Sequence, residues 1–213
     1  MELRLEQVLP HPLKDRDIQH SEVWLRNVEL RQGERVQVNA PSGTGKTTLG
    51  LILYGLRNDF EGSAYWDGKR IESLSINEWS ELRQRHLSFI FQDLRLFDEY
   101  TGLENILIKS RLTDIVSEAE IGIMAEELGV AFLLNKKTAK MSRGEMQRIA
   151  IIRALVQPFD WIIMDEPFSH LDHKNAERAA ALIDRKCKEN NAGLILLELE
   201  EDHHFEYDKK LIL

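Results

Sequence analysis

Apolar residues recur along this chain with two different spacings, and each spacing predicts one type of element. They alternate with polar residues over 34–40 (ERVQVNA), which predicts a strand, and they recur at helical spacing over 46–56 (KTTLGLILYGL). The same patterns predict a hairpin over 62–71 with a turn at Asp67-Gly68, strands over 87–93, 160–166, 193–200 and 209–213, and helices over most of 101–140, 142–156 and 173–190. Strands that alternate with helices predict an α/β core with parallel pairing, and the long helical stretch in the middle indicates an insertion.

Composition narrows the class of protein. The 213 residues are 43% hydrophobic, which is enough for one domain with a core and a subdomain. The formal net charge of −8 argues against general nucleic-acid binding, which usually shows a basic face. Cys187 is the only cysteine, so an intrachain disulfide is excluded and a reducing compartment fits. No signal-peptide core is visible and no apolar stretch approaches the roughly 20 residues that span a bilayer, so action at a membrane is expected to need a partner.

The segment PSGTGKTT lies between a predicted strand and a predicted helix, which is the context of a phosphate-binding loop. Gly43 and Gly45 let backbone N–H groups turn inward around phosphate oxygens, and the following helix adds its positive N-terminus. Lys46 is expected to reach the β- and γ-phosphates of ATP and the Thr47 hydroxyl to bind Mg²⁺. Ala40 stands where the motif has its first glycine. The predicted ATP-binding residues are Pro41, Ser42, Gly43, Thr44, Gly45, Lys46, Thr47 and Thr48; the alternative is a glycine turn before a surface helix.

Two adjacent carboxylates follow the apolar run WIIM, in the segment MDEPFSHLD (164–172). Asp165 ends a predicted buried strand, which suits a carboxylate that holds Mg²⁺ through water. Glu166 lies just beyond the strand end, where it can polarise the attacking water as a general base. The alternative is a solvated acidic turn before Pro167, and the phosphate loop upstream favours the catalytic interpretation.

These segments resemble, in order, the motifs of the ATP-binding cassette (ABC) ATPases: PSGTGKTT, FQD, MSRGEMQRIAIIRAL, IIMDEP and SHLD. The resemblance runs from about Leu25 to the end of the chain. It implies an α/β fold with a P-loop NTPase (RecA-like) core, an antiparallel β portion and an inserted helical subdomain. The implied division is one nucleotide-binding domain over 1–213, with its core at 1–95 and 143–213 and the helical subdomain at about 96–142. A head-to-tail homodimer or heterodimer with two composite ATP sites is also implied.

The resemblance assigns further site residues. Gln92 is similar to the Q-loop glutamine, which is implied to contact Mg²⁺ or water and to act with Lys46 and Glu166 in catalysis. Asp172 resembles the D-loop aspartate at the dimer interface. The signature motif, which acts on the nucleotide of the other subunit, corresponds to Ser142, Arg143, Gly144 and Glu145. Ser142 alone would be an ordinary helix N-cap, with Glu145 at the capping-box spacing.

Three departures from the family pattern leave the rate of hydrolysis open. Arg143 replaces a signature glycine, and it is expected to crowd or charge the interface with the partner's nucleotide. The family's histidine after the last core strand aligns by strand length with Glu200 or a near neighbour, and the charge of Glu200 would be unfavourable close to a γ-phosphate. No aromatic residue precedes the core to stack on adenine, and Trp24 lies too close to the predicted strand. His203 and His204 are weaker candidates for the role of the missing histidine; the alternative is that they form a solvated pair. His11 or His20 is a weaker candidate for the adenine contact.

The segment SFIFQDLRLFDEYTGLENI resembles the subfamily that includes lipoprotein-release, macrolide-export and cell-division cassettes. This implies a cytoplasmic ATPase, peripheral on the inner face of the membrane, that binds and hydrolyses ATP with Mg²⁺ and drives a separate transmembrane subunit. No nucleic-acid partner is expected. A coupling groove is expected near Gln92 to Tyr100, with apolar contacts from Phe91, Leu94, Leu96, Phe97 and Tyr100; their alternative role is core packing. Two other functions stay open: a soluble cassette ATPase of DNA repair or translation, and a regulatory subunit that barely hydrolyses ATP.

Overall fold

A computed structural model describes residues 1–213 and contains nine strands and six α-helices. The strands are β1 Leu3–Pro10, β2 Asn27–Leu30, β3 Arg35–Asn39, β4 Phe60–Trp66, β5 Lys69–Arg70, β6 Leu87–Ile90, β7 Trp161–Asp165, β8 Gly193–Glu198 and β9 Lys209–Ile212. The helices are α1 Lys46–Leu53, α2 Ile76–Arg85, α3 Gly102–Thr113, α4 Glu118–Glu127, α5 Arg143–Leu155 and α6 His173–Asn190. None of these helices combines the length and the apolar composition that a membrane span needs.

The five-stranded sheet places the ends of three strands at one edge. Its order is β6-β7-β8-β3-β9 and every pairing in it is parallel, as the alternation of strands and helices predicts. Parallel strands end at the same edge, so β3, β7 and β8 deliver the segments that follow them to one place. Asp165 at the end of β7 lies opposite Leu197 of β8. The fold class is the one expected, with a separate antiparallel sheet of order β2-β1-β4-β5.

The parallel sheet separates two apolar cores. Trp161 and Ile163 of β7 face the core shared with the antiparallel sheet, while Ile162 and Met164 face the core beneath the helices α3 to α6. Successive side chains of a strand point to opposite faces, so a strand covered on both sides becomes a continuous apolar run. This is why WIIM shows no alternation although it is a strand.

The antiparallel sheet was only partly predicted from sequence. The hairpin with its Asp67-Gly68 turn is confirmed, with φ values of 46° and 72° at the two turn residues. The pairing of β1 with β2 and β4 was missed, because the register shifts between Glu6 and Leu9 and interrupts the alternation that Leu3 and Leu5 begin. The short helix α2 was also missed, and the strand predicted over 193–200 ends earlier, at Glu198.

Hydrogen-bonded caps fix where most of the helices begin. A capping box, in which a Ser or Thr and the Glu three residues later bond each other's backbone N–H, starts α2, α3, α4 and α5. The box predicted at Ser142 and Glu145 is therefore confirmed as the start of α5. Each cap contributes about 1 kcal/mol to the free energy of unfolding. The cap of α5 fixes the N-terminus of that helix at the surface.

Candidate active site

The phosphate loop connects β3 to α1 and is supported from behind by aromatic packing. Gly43 and Gly45 adopt φ values of 85° and 100°, a backbone region that side-chain-bearing residues rarely adopt. A Cβ on Gly45 would lie 2.7 Å from Leu13 Cδ1, and Trp24 Nε1 donates a 2.9 Å hydrogen bond to the Thr44 carbonyl. The side chains of Leu13 and Trp24 therefore pack behind the loop and hold its conformation. Ala40 keeps an ordinary backbone conformation, so an alanine costs little where the motif has glycine.

Lys46 and Glu166 form an ion pair across the site. Their side chains are only 8% and 12% exposed, and Lys46 Nζ donates to Glu166 Oε1. Desolvated opposite charges attract strongly, and losing either one leaves the other buried without a partner. The two residues predicted for phosphate binding and for the general base therefore meet directly.

The backbone around Glu166 is strained and firmly held. Its φ of 48° is unusual for a residue with a side chain and costs on the order of 1 kcal/mol. The Glu166 N–H donates to the Leu197 carbonyl at 3.1 Å, and Gln147 Nε2 donates to the Pro167 carbonyl at 2.5 Å. Strain that the surroundings maintain is common where a side chain must be aimed, and here it aims the Glu166 carboxylate at Lys46.

Asp165 carries a buried oxygen atom without a hydrogen-bond partner. The residue is 1% exposed; its Oδ2 accepts from the Thr47 hydroxyl at 2.7 Å, whereas its Oδ1 has no partner. Burial raises the pKa of this carboxyl, while the Thr47 hydrogen bond and the charge of Lys46 lower it. Carboxylate and hydroxyl oxygens are the ligand types of Mg²⁺, and an unpaired buried oxygen is a place for a cation. The residues therefore fit a Mg²⁺ site.

A cavity of 480 Å³ lies over the phosphate loop, a size that suits a nucleotide. Gln92, which follows β6, and Glu166 both line it with the loop, so the structure brings these predicted residues together. The remaining walls come from Pro12, Leu13, Arg16 and Leu199. Among these, Arg16 was missed from the sequence because an aromatic side chain was sought; its planar guanidinium can stack on a base.

Neither Trp24, which was set aside for the adenine contact, nor His11, one of the two weaker candidates, lines the cavity. Trp24 is 1% exposed and belongs to the core. His11 does not line the cavity, and His20 lines a smaller neighbouring one beside Arg16 and Gly43. Stacking by His11 is therefore not supported by its position.

The two residues that follow β8 differ in their position relative to the cavity. Leu199 lines the cavity, whereas Glu200 is exposed and its carbonyl accepts a 3.1 Å hydrogen bond from Gln37 Nε2. The strand ends at Glu198 and not at position 200, so Leu199, a near neighbour of Glu200, is the residue that reaches the cavity. Burial, followed by the charge of Glu166, raises the pKa of the Glu198 carboxyl to about 7.

His203 and His204 do not replace the missing histidine in the structure. His204 Nδ1 pairs with Asp202 Oδ1 at 2.5 Å, and its ring packs 4.8 Å from that of Phe168. Both histidines line a different cavity, next to α6. The loop after β8 is thus anchored through Asp202 with its histidines turned away from the phosphate loop.

Comparison with known proteins decides the family. The sequence profile described as ABC transporter matches residues 26–169.

The chain belongs to the ABC transporter family. LolD, the ATP-binding protein of the lipoprotein-releasing system of Francisella tularensis subsp. tularensis (strain FSC 198), is 34% identical over 179 residues, covering 82% of this chain and 78% of that protein. LolD of Psychrobacter arcticus (strain DSM 17307 / VKM B-2377 / 273-4) is 30% identical over 191 residues, covering 88% and 84%. The chain is an ATP-binding subunit and ATPase of this family.

Solved cassettes of this family have the same fold. The dimeric structure of MJ0796, a bacterial ABC transporter cassette, is 26% identical with a TM-score of 0.75 and covers 91% of this chain and 87% of that one. A second dimeric structure of MJ0796, in a post-hydrolysis state bound to ADP and Pi, has a TM-score of 0.77 at 26% identity, with coverage of 92% and 88%.

The residues predicted for the signature motif lie at the exposed start of α5. Ser142 and Arg143 are exposed and do not line the chain's own cavity, so Arg143 crowds nothing within the chain. A Cβ on Gly144 would lie 2.7 Å from the His170 carbonyl oxygen, so the glycine permits contact with the segment before Asp172. Asp172 caps α6 by accepting a 2.8 Å hydrogen bond from the Asn175 N–H.

The apolar residues predicted for the coupling groove divide into two groups. Leu94 is buried, and Phe91 and Leu96 are partly buried, as the core-packing alternative predicts. Phe97 and Tyr100 are 55% and 46% exposed, with ring centroids 5.5 Å apart. Only this second pair is available on the surface of the cassette.

Proposed function

We propose that this ATPase hydrolyses MgATP in a head-to-tail dimer and drives a separate membrane subunit from the cytoplasmic side. The observation that carries the proposal is the meeting of Lys46 with Glu166 and of Thr47 with Asp165 over one phosphate loop. The proposed division of the chain is the one expected from the family, with a core at 1–95 and 143–213 and a helical subdomain at about 96–142.

Thr47, Asp165 and Gln92 are the residues proposed to hold Mg²⁺. When bound, the ion supplies positive charge to the β- and γ-phosphate oxygens. The unpaired Oδ1 of Asp165 supports this assignment, since a buried carboxylate oxygen without a donor is costly. Gln92 lies on the loop after β6 and would connect the metal site to the surface groove.

Lys46 is proposed to control the availability of Glu166. Its ammonium group pairs with that carboxylate, and a γ-phosphate would compete for the same ammonium group. Transfer of Lys46 to the phosphate leaves Glu166 free to accept a proton from the attacking water, on the backbone that its φ of 48° already fixes. The pair thus couples binding of the phosphate to activation of the base.

The exposed start of α5 supports a composite site. Ser142 lies at a helix N-terminus, which favours an anion, yet it does not line the cavity of its own chain. A second copy placed head to tail would present this N-terminus and Arg143 to the phosphates bound by the first.

The membrane partner follows from the relatives. LolD is by its name the ATP-binding protein of a lipoprotein-releasing system. We infer that this chain likewise supplies ATP hydrolysis to a membrane assembly, at the inner face of the membrane. A second candidate, a regulatory subunit with slow hydrolysis, is favoured by one observation: the residue after β8 that lines the cavity is Leu199 and not a histidine.

Cysteine cross-linking tests the head-to-tail arrangement. Ser42→Cys and Ser142→Cys are combined with Glu166→Gln, and an oxidant is added with or without ATP. The expected result is an ATP-dependent covalent dimer in the double-cysteine chain and none in either single-cysteine control. The native Cys187 is buried and its pKa is raised to about 12, so it does not compete. ATP binding without a covalent dimer would contradict the composite site.

A further inference from the structure

One partly buried acid beside the active site has no role in the proposed steps of hydrolysis. Glu198 ends β8 and is paired in the sheet with Asn39, which ends β3. The residues before them, Leu197 and Val38, belong to the core shared with the antiparallel sheet, so Glu198 and Asn39 point together to the opposite face. Neighbouring strands lie about 5 Å apart, which brings the two side chains within hydrogen-bonding reach.

The Asn39 side chain lacks a hydrogen-bond donor. Its Oδ1 is buried and has no partner in the structure, and a buried acceptor without a donor is costly. Glu198 can supply the donor only as the neutral acid, because an ionised carboxylate accepts hydrogen bonds and donates none. An ionised Glu198 would instead place further acceptor oxygens against Asn39 Oδ1. The pairing of the two side chains therefore favours a proton on Glu198.

The charges around Glu198 favour the same neutral form. The ionisable groups near it lie on three other segments: Lys46 on α1, Glu166 after β7, and Asp202 with its partners His204 and Tyr207 after β8. Burial, followed by the charge of Glu166, raises the pKa of the Glu198 carboxyl to about 7, although Lys46 and the Leu199 N–H act in the other direction. Lys46 is already paired with Glu166. Glu198 thus has no cation of its own.

Backbone hydrogen bonds connect the end of β8 to both halves of the active site. The Glu198 carbonyl accepts from the Ala40 N–H at 2.9 Å, just before the phosphate loop, and the Leu197 carbonyl accepts from the Glu166 N–H at 3.1 Å. By the alternation along β7, the Asp165 side chain lies on the other face of the sheet from Glu198. The charge on Glu198 is therefore placed to act on Glu166 and the phosphate loop.

We propose that Glu198 is a positioning residue that works as the neutral acid: its O–H donates to Asn39 Oδ1, and its lack of charge favours phosphate binding beside Glu166. This inference rests on the proposed function, because it requires ATP at the phosphate loop and Glu166 as the base. When the γ-phosphate takes Lys46, Glu166 loses its counter-charge, so Glu198 holds its proton more firmly. Linkage is reciprocal, so ionisation of Glu198 weakens the binding of MgATP.

The pH dependence of KM for MgATP tests this inference. In the wild-type chain, KM should rise about tenfold between about pH 6 and about pH 8.5, as Glu198 ionises beside the phosphates. Glu198→Gln reproduces the neutral form and its amide can donate to Asn39, so its KM should stay at the low-pH value. Glu200→Gln is the matched control, since it removes an exposed carboxylate two residues away and should keep the wild-type rise. The wild-type rise in Glu198→Gln would overturn the inference.

Glu198→Ala separates the hydrogen bond from the charge. Alanine is neutral but leaves Asn39 Oδ1 without a donor, so KM should lose its pH dependence and lie severalfold above that of Glu198→Gln at every pH. Thermal unfolding at each pH shows whether both variants are folded. Equal KM values in the two folded variants would overturn the hydrogen bond to Asn39.

Calorimetry measures the same coupling without turnover. Binding of ATPγS with Mg²⁺ is measured at about pH 7.5 in two buffers that differ in their enthalpy of ionisation. The wild-type chain should take up about half a proton more per nucleotide than Glu198→Gln, which corresponds to the tenfold change in affinity. Equal proton uptake would overturn the inference and leave the proposed function standing, whereas full turnover by Glu166→Gln would overturn the proposed function itself.

Discussion

The ends of β7 and β8 are neighbours in the same sheet, yet they differ in whether their carboxylates have hydrogen-bonding or cationic partners. At the end of β7, Asp165 meets Thr47 and Glu166 meets Lys46. At the end of β8, Leu199 faces the cavity and Glu198 is held with its pKa raised to about 7. The first edge holds the groups that we propose to bind phosphate and to activate water, while the second presents a leucine to the cavity. Large effects on chemistry are therefore expected from changes at β7, and moderate ones from changes at β8.

Removing the proposed general base at the end of β7 should have the largest effect. Glu166→Gln should lower turnover by about 10³-fold, because the amide cannot accept the proton from water. ATP binding should persist, since Lys46 loses its competing carboxylate. Glu198→Gln, one strand away, is the matched control and should retain most activity. Phosphate release and ATP binding are measured on both; full turnover by Glu166→Gln would remove this residue from the role.

The support of the phosphate loop can be tested with a pair of glycines. Gly45→Ala combines a φ of 100° with a Cβ placed 2.7 Å from Leu13, and it should cost about 2 kcal/mol of unfolding free energy. Gly43→Ala has a φ of 85° but no atom within 4 Å of the added Cβ, so it should cost about 1 kcal/mol. Denaturant unfolding measures both; equal losses would show that the packing behind the loop contributes nothing.

A histidine introduced after β8 tests whether this strand end limits turnover. Leu199→His should leave turnover unchanged or raise it by up to about tenfold, as a single hydrogen bond to a charged oxygen is worth about 1.5 kcal/mol. Glu200→His is the control, because position 200 is exposed and should have no effect. An increase at position 200 and none at 199 would place the family's histidine position at Glu200.

The smallest effect expected is on the pH dependence of stability. The pKa of Glu198 is raised from 4.5 to about 7, so the folded chain binds more protons than the unfolded chain between these values. Stability from this group is therefore present below about pH 4.5 and is lost as the pH rises to about 7. In Glu198→Gln, the loss of unfolding free energy between pH 4.5 and pH 7 should be smaller by on the order of 1 kcal/mol. Tm measured across this pH range in both proteins reports the difference. An identical profile in both proteins would contradict the burial of this carboxyl.

Local motifs predicted the site better than periodicity predicted the fold. The phosphate loop, Asp165 and Glu166 could be found because each motif requires one strand or helix context, and WIIM supplied it. The pairing of β1 was hidden by the register shift at Glu6, a tertiary feature that leaves no periodic signal. The end of β8 at Glu198 was predicted too late because an apolar run does not mark where its strand ends, and Arg16 was missed because an aromatic side chain was sought for the adenine contact.

The most direct test of the account is phosphate release at saturating MgATP over a range of protein concentrations, with Glu166→Gln measured alongside. The account predicts activity that rises faster than the protein concentration and disappears in Glu166→Gln, because two chains share each site and Glu166 is the base. Specific activity that stays constant with dilution, or that survives in Glu166→Gln, would contradict it.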